Sequence, residues 1–212
     1  MKTNDLIAAL AADLPTKPTP VWRAITMAIA VSVPILLTIL LGFVKIRPGI
    51  ESMLLDMKIL PKFVFTIGLF LSALWLGLRV TRPGTGAGPA RFALLAVFAL
   101  LGLAVASELI NRPMETWAAA MLGTYSVPCM VLILIFSIAP LTALMFAFRT
   151  GAPDSPAVAG AAAGLIAGSL GASFYATHCI EDSALFMAVW YVIGISAVTI
   201  LGAIVGRYAL KW

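Results

Sequence analysis

The sequence predicts an all-α integral membrane protein of six transmembrane helices with both termini in the cytoplasm, and three observations carry that prediction. Hydrophobic residues make up 62% of the 212 residues and charged ones 11%, a balance far from that of a soluble domain of this length. The apolar residues gather into runs of roughly twenty, the length that a helix rising about 1.5 Å per residue needs to cross a hydrocarbon core about 30 Å thick. These runs are continuous, whereas a membrane barrel strand would alternate between polar and apolar positions. They cover Trp22 to Phe43, Phe63 to Leu78, Phe92 to Ile110, Tyr125 to Phe148, Ala157 to Thr177 and Ala184 to Gly206.

Two domains follow, residues 1–20 as an amino-terminal arm and residues 21–212 as the membrane domain. In the arm, Leu6, Ile7, Leu10 and Leu14 recur at helical spacing, Asp13 joins them as a candidate partner-binding residue, and Pro15 stops the helix. Pro15, Pro18 and Pro20 then form a stiff spacer before the first span. Only Lys2 and Lys17 flank the arm with positive charge, a poor attraction for lipid. The pattern therefore favours a docking surface for a partner protein over an interfacial helix lying on the bilayer. A polar, proline-containing start followed by so long an apolar run does not read as a cleavable signal peptide.

The second run is short unless Lys62 and Arg79 snorkel their charges to the two interfaces. After it, Arg79 to Arg91 holds three glycines and two prolines and reads as a flexible basic turn. It lacks the GK[ST] ending of a phosphate-binding loop. Run three carries Glu108 about one turn from its end, where a carboxylate can reach the interface. Pro34, Pro128 and Pro140 are expected to kink runs one and four, because each removes a helical hydrogen bond. Run five carries Gly160, Gly164 and Gly168 at four-residue intervals, continued by Gly171, and run six offers Gly194, Gly202 and Gly206. Such a stripe lets another backbone approach closely. Tight packing within the chain and dimerisation through that face are both open at this point.

Orientation follows from the basic residues. With the amino terminus inside, nine of the 14 (Lys2, Lys17, Arg23, Arg79, Arg82, Arg91, Arg149, Arg207 and Lys211) fall in cytoplasmic segments, the bias expected of short loops. The +5 formal charge is dispersed among helix ends rather than clustered with aromatics, which argues against direct nucleic-acid binding.

Chemistry concentrates on the outer side. Cys129, near the outer end of run four, shares its membrane depth with His178, Cys179, Glu181 and Asp182 in the tight turn between runs five and six. The two cysteines occur without a CxxC or zinc-finger spacing, which excludes a disulfide scaffold and a structural zinc module. They can pair if their Cα atoms come within about 7 Å. Thiolate, imidazole and carboxylate together also suit a transient heavy-metal ion better than magnesium. Apolar packing of two scattered cysteines and interfacial placement of a lone histidine stand against this thiol-sensor reading. A small metal or solute transporter using Glu108 and the outer cluster is the alternative, although no trail of mid-membrane charges supports it. A membrane thiol oxidoreductase would need an exchange pair of cysteines, and an enzyme is not expected.

Residues from Met1 through Pro15, Gly151-Ala152-Pro153, the stretch Ala159 to Gly171, His178-Cys179-Ile180-Glu181-Asp182-Ser183, and Trp190-Tyr191 resemble the NrsF-like membrane anti-sigma factors, almost end to end. That resemblance implies a multi-pass protein of the bacterial inner membrane that holds an extracytoplasmic-function sigma factor and silences its regulon. Release would follow oxidative or heavy-metal stress. It also implies that the family's two signal-sensing cysteines correspond to Cys129 and Cys179. The expected partners are that sigma factor, the lipid bilayer and, through the glycine face, a second copy of the chain; no resident cofactor is expected.

Overall fold

A computed structural model of the chain describes Thr3, Asp5 and residues 20–49 and 59–210. The arm residues Leu6, Ile7, Leu10, Asp13 and Leu14 lie outside the described residues; Thr3 and Asp5 are helical and exposed. The described residues contain helices and no strand.

Helix α1 (Val21–Ile39) continues as a π-helical turn, Leu40–Val44. Helices α2 (Leu60–Val80) and α3 (Ala90–Asn111) follow. A 3-10 turn, Met114–Thr116, then leads into a short helix α4 (Trp117–Leu122). Two long helices come next, α5 (Ser126–Phe148) and α6 (Pro156–Ala176). A single turn of helix α7 (Ala184–Phe186), a π-helical turn Met187–Tyr191 and helix α8 (Val192–Ala209) form the last rod. Six of these helical segments are long and apolar enough to cross a membrane. Four of the expected runs begin and end within a few residues of them; α2 reaches beyond the expected run at its start, and the last rod at its end.

Helix α6 is the hub because its sequence is almost all Ala, Gly and Ser on the packed faces. It is the most buried of the six and packs mainly on α8, α5 and α2, while α3 is the least buried and packs mainly on α2. The glycine stripe is consumed inside the chain. A Cβ on Gly164 would stand 2.5 Å from the Val198 carbonyl oxygen, and one on Gly206 2.5 Å from the Gly160 Cα. The face offered for dimerisation is therefore already occupied by the α6–α8 contact. Gly171 serves α5 in the same way, its missing Cβ leaving room for Ser137.

Two apolar clusters stack along the bundle. One gathers Leu36, Phe65, Phe136, Leu170 and Tyr191 around the two cysteines, and the other gathers Ile25, Ala73, Leu144, Phe148 and Ile166 near the opposite end. Buried serine and threonine hydroxyls are satisfied within their own helices. Ser32, Thr66, Ser72, Ser137 and Ser169 each donate to the carbonyl four residues earlier, at 2.6–3.0 Å, the arrangement available to a polar side chain with no water nearby.

Three expectations need correction. Lys62 does not snorkel: it is 0% exposed, for reasons given below. Pro34 and Pro140 lie inside helices, but Pro128 sits in the first turn of α5, where its missing N–H has no intrahelical partner to lose. The Arg79–Arg91 segment is ordered by specific bonds. Arg79 donates to the Thr85 carbonyl at 2.9 Å, and the Gly84 N–H donates to Asp154 at 2.9 Å. The Ala152 N–H reaches the Thr81 carbonyl at 3.1 Å, so the loops after α2 and α5 are tied together at the end of the bundle away from the cysteines.

Candidate functional site: the cysteine turn and its ties

Helix α6 ends at Ala176, and the carbonyl of Tyr175 in its last turn accepts from the His178 and Cys179 N–H groups at 2.9 and 3.0 Å. The chain then runs through Cys179 to Ser183, which caps α7 by accepting from the Phe186 N–H at 3.4 Å. Because the turn holds both helix ends, its side chains are placed by backbone geometry rather than by loop freedom.

The two thiols meet in one chamber. Cys129 and Cys179 are free, 0% and 3% exposed, and belong to the same buried cluster as Tyr175 and Tyr191. The Tyr175 hydroxyl neighbours both sulfurs. The Cys179 thiol itself donates to the Glu181 carbonyl at 3.8 Å. Tyr175 and Tyr191 pack ring against ring with centroids 5.8 Å apart.

The other sequence-predicted residues are close by but turned to other work. His178 Nδ1 lies 2.8 Å from the Lys45 carbonyl oxygen; a carbonyl only accepts, so Nδ1 carries the proton. Glu181 accepts from the Thr124 N–H at 2.9 Å. That contact depends on Gly123, at φ 56°, where a Cβ would sit 2.5 Å from the Phe186 ring. Asp182 takes Lys62 on one oxygen at 2.6 Å and Arg47 on the other at 2.8 Å. The expected gathering of imidazole and carboxylates around the thiols is thus not formed. Among the described residues no group of three or more His, Cys, Asp and Glu side chains is placed to hold a metal ion.

Lys62 explains why a cation can be buried here. It comes from the first turn of α2, spends one donor on Asp182 and another on the Cys179 carbonyl at 3.0 Å, and is the one buried charged side chain among the described residues. Water is replaced by an ion pair plus a carbonyl, the condition under which a buried charge is tolerated. Glu108 is occupied too. It accepts from Ser183 Oγ at 2.8 Å and from the Ala184 and Leu185 N–H groups at 2.6 and 3.2 Å, while pairing with Arg112 at 2.8 Å. A carboxylate on free N–H groups at a helix start is a cap with favourable dipole electrostatics. Glu108 therefore anchors α3 to α7. It lines a cleft of about 930 Å³ together with Arg112, Glu181, Asp182 and Ser183, and each of those carboxylates is already engaged.

The turn is also bonded to the chain leaving α1. Besides His178 to Lys45, the Arg47 N–H donates to the Thr177 carbonyl at 3.1 Å, and the Arg47 guanidinium reaches Asp182 and, at 3.4 Å, the Ile180 carbonyl. Lys45 is the one positive-φ residue besides glycine among those described, at φ 67°. A side chain in that region costs energy that the surrounding bonds must offset.

Comparison with known proteins settles the family. The chain matches the model described as "Negative regulator of sigma F", NrsF, over residues 10–212. It belongs to the NrsF family. It is 34% identical over 216 residues to the anti-sigma-F factor NrsF of Caulobacter vibrioides, covering 100% of both chains. It is 30% identical over 214 residues to the probable anti-sigma-F factor NrsF of Azospira oryzae, again covering 100% of both. No solved structure matches. NrsF proteins are regulators by description, and the resemblance noted from the His-Cys-x-Glu-Asp-Ser turn is thereby established across the chain.

The residues that sequence reasoning missed are Lys62, Arg47, Lys45 and the two chamber tyrosines. Lys62 and Arg47 interrupt or flank apolar runs, a signal legible in principle; their partner Asp182 lies 120 and 135 positions away.

Proposed function

We propose that this NrsF protein is an anti-sigma factor of the bacterial inner membrane, crossing it six times with both termini in the cytoplasm. It holds an extracytoplasmic-function sigma factor through the arm around Leu6, Ile7, Leu10, Asp13 and Leu14. Oxidation or heavy-metal ligation at Cys129 and Cys179, on the periplasmic side, releases the partner.

The observation that carries this reading is the set of bonds between the cysteine turn and the segment that leaves α1. The arm precedes α1 directly. A change at Cys179 that alters the Thr177–Asp182 backbone therefore acts on Lys45 and Arg47, and through them on the rod whose other end bears the arm. The α6–α8 contact is backbone to backbone and offers no slack, whereas the segment leaving α1 is held to the turn by side-chain bonds of His178 and Arg47 beside, among the described residues, a single backbone bond, Arg47 to Thr177. The signal acts by differential affinity, stabilising one placement of α1 over another. His178, Glu181 and Asp182 position the turn and are not the sensing atoms.

The test uses cells carrying a reporter for the partner's promoter. Cys129→Ser with Cys179→Ser keeps repression and loses induction by a thiol oxidant or a thiophilic metal ion; normal induction in that double variant removes the sensor claim. Deleting residues 1–20 frees the partner, and undiminished repression would move the contact to the cytoplasmic loops.

A further inference from the structure

Where α2 ends, away from the cysteines, Trp75, Leu78, Arg79, Arg82 and Thr85 line a groove of about 260 Å³. Leu71, Trp75, Leu78 and Arg82 follow one another at intervals of three and four residues, so one face of the helix supplies an apolar track that ends in cations. Leu71 and Trp75 are 57% and 45% exposed. On a helix long and apolar enough to span a membrane, such a face meets lipid.

The cationic end is built rather than loose. Arg79 donates through Nη2 to the Thr85 carbonyl at 2.9 Å and through Nε to the Gly86 carbonyl at 3.4 Å, and the Thr85 hydroxyl donates back to the Arg79 carbonyl. Gly88, at φ 48°, leaves the space that the guanidinium fills, since a Cβ there would stand 2.5 Å from Arg79 Nη2. These bonds use two of the five N–H donors of a guanidinium and hold the rest in a fixed fork. Arg82 is exposed, and among the described residues neither arginine forms an ion pair. Asp154, on the facing loop, accepts from the Gly84 N–H at 2.9 Å.

Two guanidinium groups without a counter-ion fit an anion whose oxygens can take paired N–H donors, and a phosphate does so. The indole adds a second point of contact. Trp117 and Trp190 donate to the Arg112 and Met121 carbonyls at 3.0 and 2.9 Å, whereas the Trp75 N–H has no acceptor among the described residues and is left for an ester oxygen. Trp75 and Arg82 lie about 10 Å apart along a helix rising about 1.5 Å per residue, close to the depth of about 5–8 Å that separates headgroup from hydrocarbon on each side of a bilayer. A phosphate at the arginines therefore sets glycerol esters near the indole and an acyl chain against Leu71. A free phosphate ion would use the arginines and leave the apolar track without a role.

We propose that this groove binds one anionic phospholipid, with its phosphodiester on Arg79 and Arg82 and a chain along Trp75 and Leu71. The site is separate from the cysteine turn, and its occupancy does not depend on the sensor reading.

The experiment uses full-length protein in detergent, titrated with dioleoyl phosphatidylglycerol, dioleoyl phosphatidylcholine or inorganic phosphate. Native mass spectrometry reads the dissociation constant of the first ligand bound. Phosphatidylglycerol binds about tenfold or more tightly than phosphatidylcholine, whose own cation opposes the arginines. Arg82→Gln weakens phosphatidylglycerol by about tenfold, the loss of a charge-assisted hydrogen bond, and removes most of the preference. The Arg82 side chain bonds nothing else among the described residues, so this variant does not threaten the fold. Arg207→Gln, which removes a charge from the last turn of α8 outside the groove, changes binding by about twofold or less. Trp75→Ala, which takes away the wall and the N–H, weakens the lipid by about threefold or more. Inorganic phosphate neither binds nor displaces the lipid. Equal affinity for the two lipids, equal weakening by Arg82→Gln and Arg207→Gln, or no effect of Trp75→Ala overturns the proposal. Displacement by inorganic phosphate assigns the arginines to a soluble anion instead. Intact lipid binding with lost sigma-factor affinity in Arg82→Gln assigns them to the protein partner, and either result also overturns it.

Discussion

Replacing Lys62 by methionine tests whether the buried ammonium is what fixes the cysteine turn. Methionine keeps an unbranched side chain of similar length and removes the charge, leaving the Cys179 carbonyl without its donor and Asp182 without one of two cations. Breaking a buried pair from one side costs about 3–5 kcal/mol. Asp182 retains Arg47 at 2.8 Å and its side chain is 22% exposed, so the carboxylate is not stranded and the lower figure applies. In a chain of this size each kcal/mol moves the unfolding midpoint by about 2–4 °C, so the expected fall is about 6–12 °C. The assay is thermal unfolding in nanodiscs. Lys62→Met, Asp182→Asn and the double variant form a cycle in which the double is much less destabilised than the sum of the singles, since it buries no unpaired charge. Arg47→Ala, removing the more exposed partner, costs about 1 kcal/mol or less. An unfolding midpoint for Lys62→Met within 2 °C of wild type, on the about 2–4 °C per kcal/mol scale, or strict additivity in the cycle, would refute the assignment.

Gly160→Ala costs about 1–3 kcal/mol, because the new methyl meets the α8 backbone rather than a side chain that can swing away. Gly102→Ala, with nothing within 4 Å of the added carbon, stabilises by about 0.4–1 kcal/mol; the pair of unfolding midpoints should move in opposite directions. Glu108→Ala strips the acceptor from Ser183 and two backbone N–H groups and lowers stability by about 1–3 kcal/mol. Reconstituted vesicles of the wild-type protein take up no divalent metal, and uptake abolished by Glu108→Ala would revive the transporter alternative. His178→Ala loosens the turn from Lys45 and makes release easier to trigger, read as a lower oxidant concentration for half-maximal induction of the reporter.

The bundle was legible because hydrocarbon thickness sets helix length: the six runs match helices 21–26 residues long, counting π-helical turns as part of their rods. The glycine spacing on run five marked a backbone contact, and the packing of α6 on α8 shows which of its two uses holds. The sequence places Cys129 and Cys179 at one depth, and they share one cluster. Partnership was not legible. Lys62 looked like a snorkelling anchor because its neighbours in sequence are apolar, and only the fold brings Asp182 to it. Glu108 looked like an interfacial acid because the N–H groups it caps belong to another helix. The histidine and carboxylates beside Cys179 looked like ligands, but adjacency in sequence does not say where a side chain points; His178 reaches for the Lys45 carbonyl instead. Helix α4 escaped notice because six residues carry too little periodicity to register.

The affinity of full-length protein in nanodiscs for its sigma factor, with the thiols first reduced and then oxidised, tests the link between the two ends of the bundle most directly. Oxidation should weaken binding by about tenfold or more, within the range typical of coupling between sites, and Cys129→Ser with Cys179→Ser should remove the difference. An equal dissociation constant in both thiol states would contradict it, since a ligand or modification without differential affinity shifts no equilibrium.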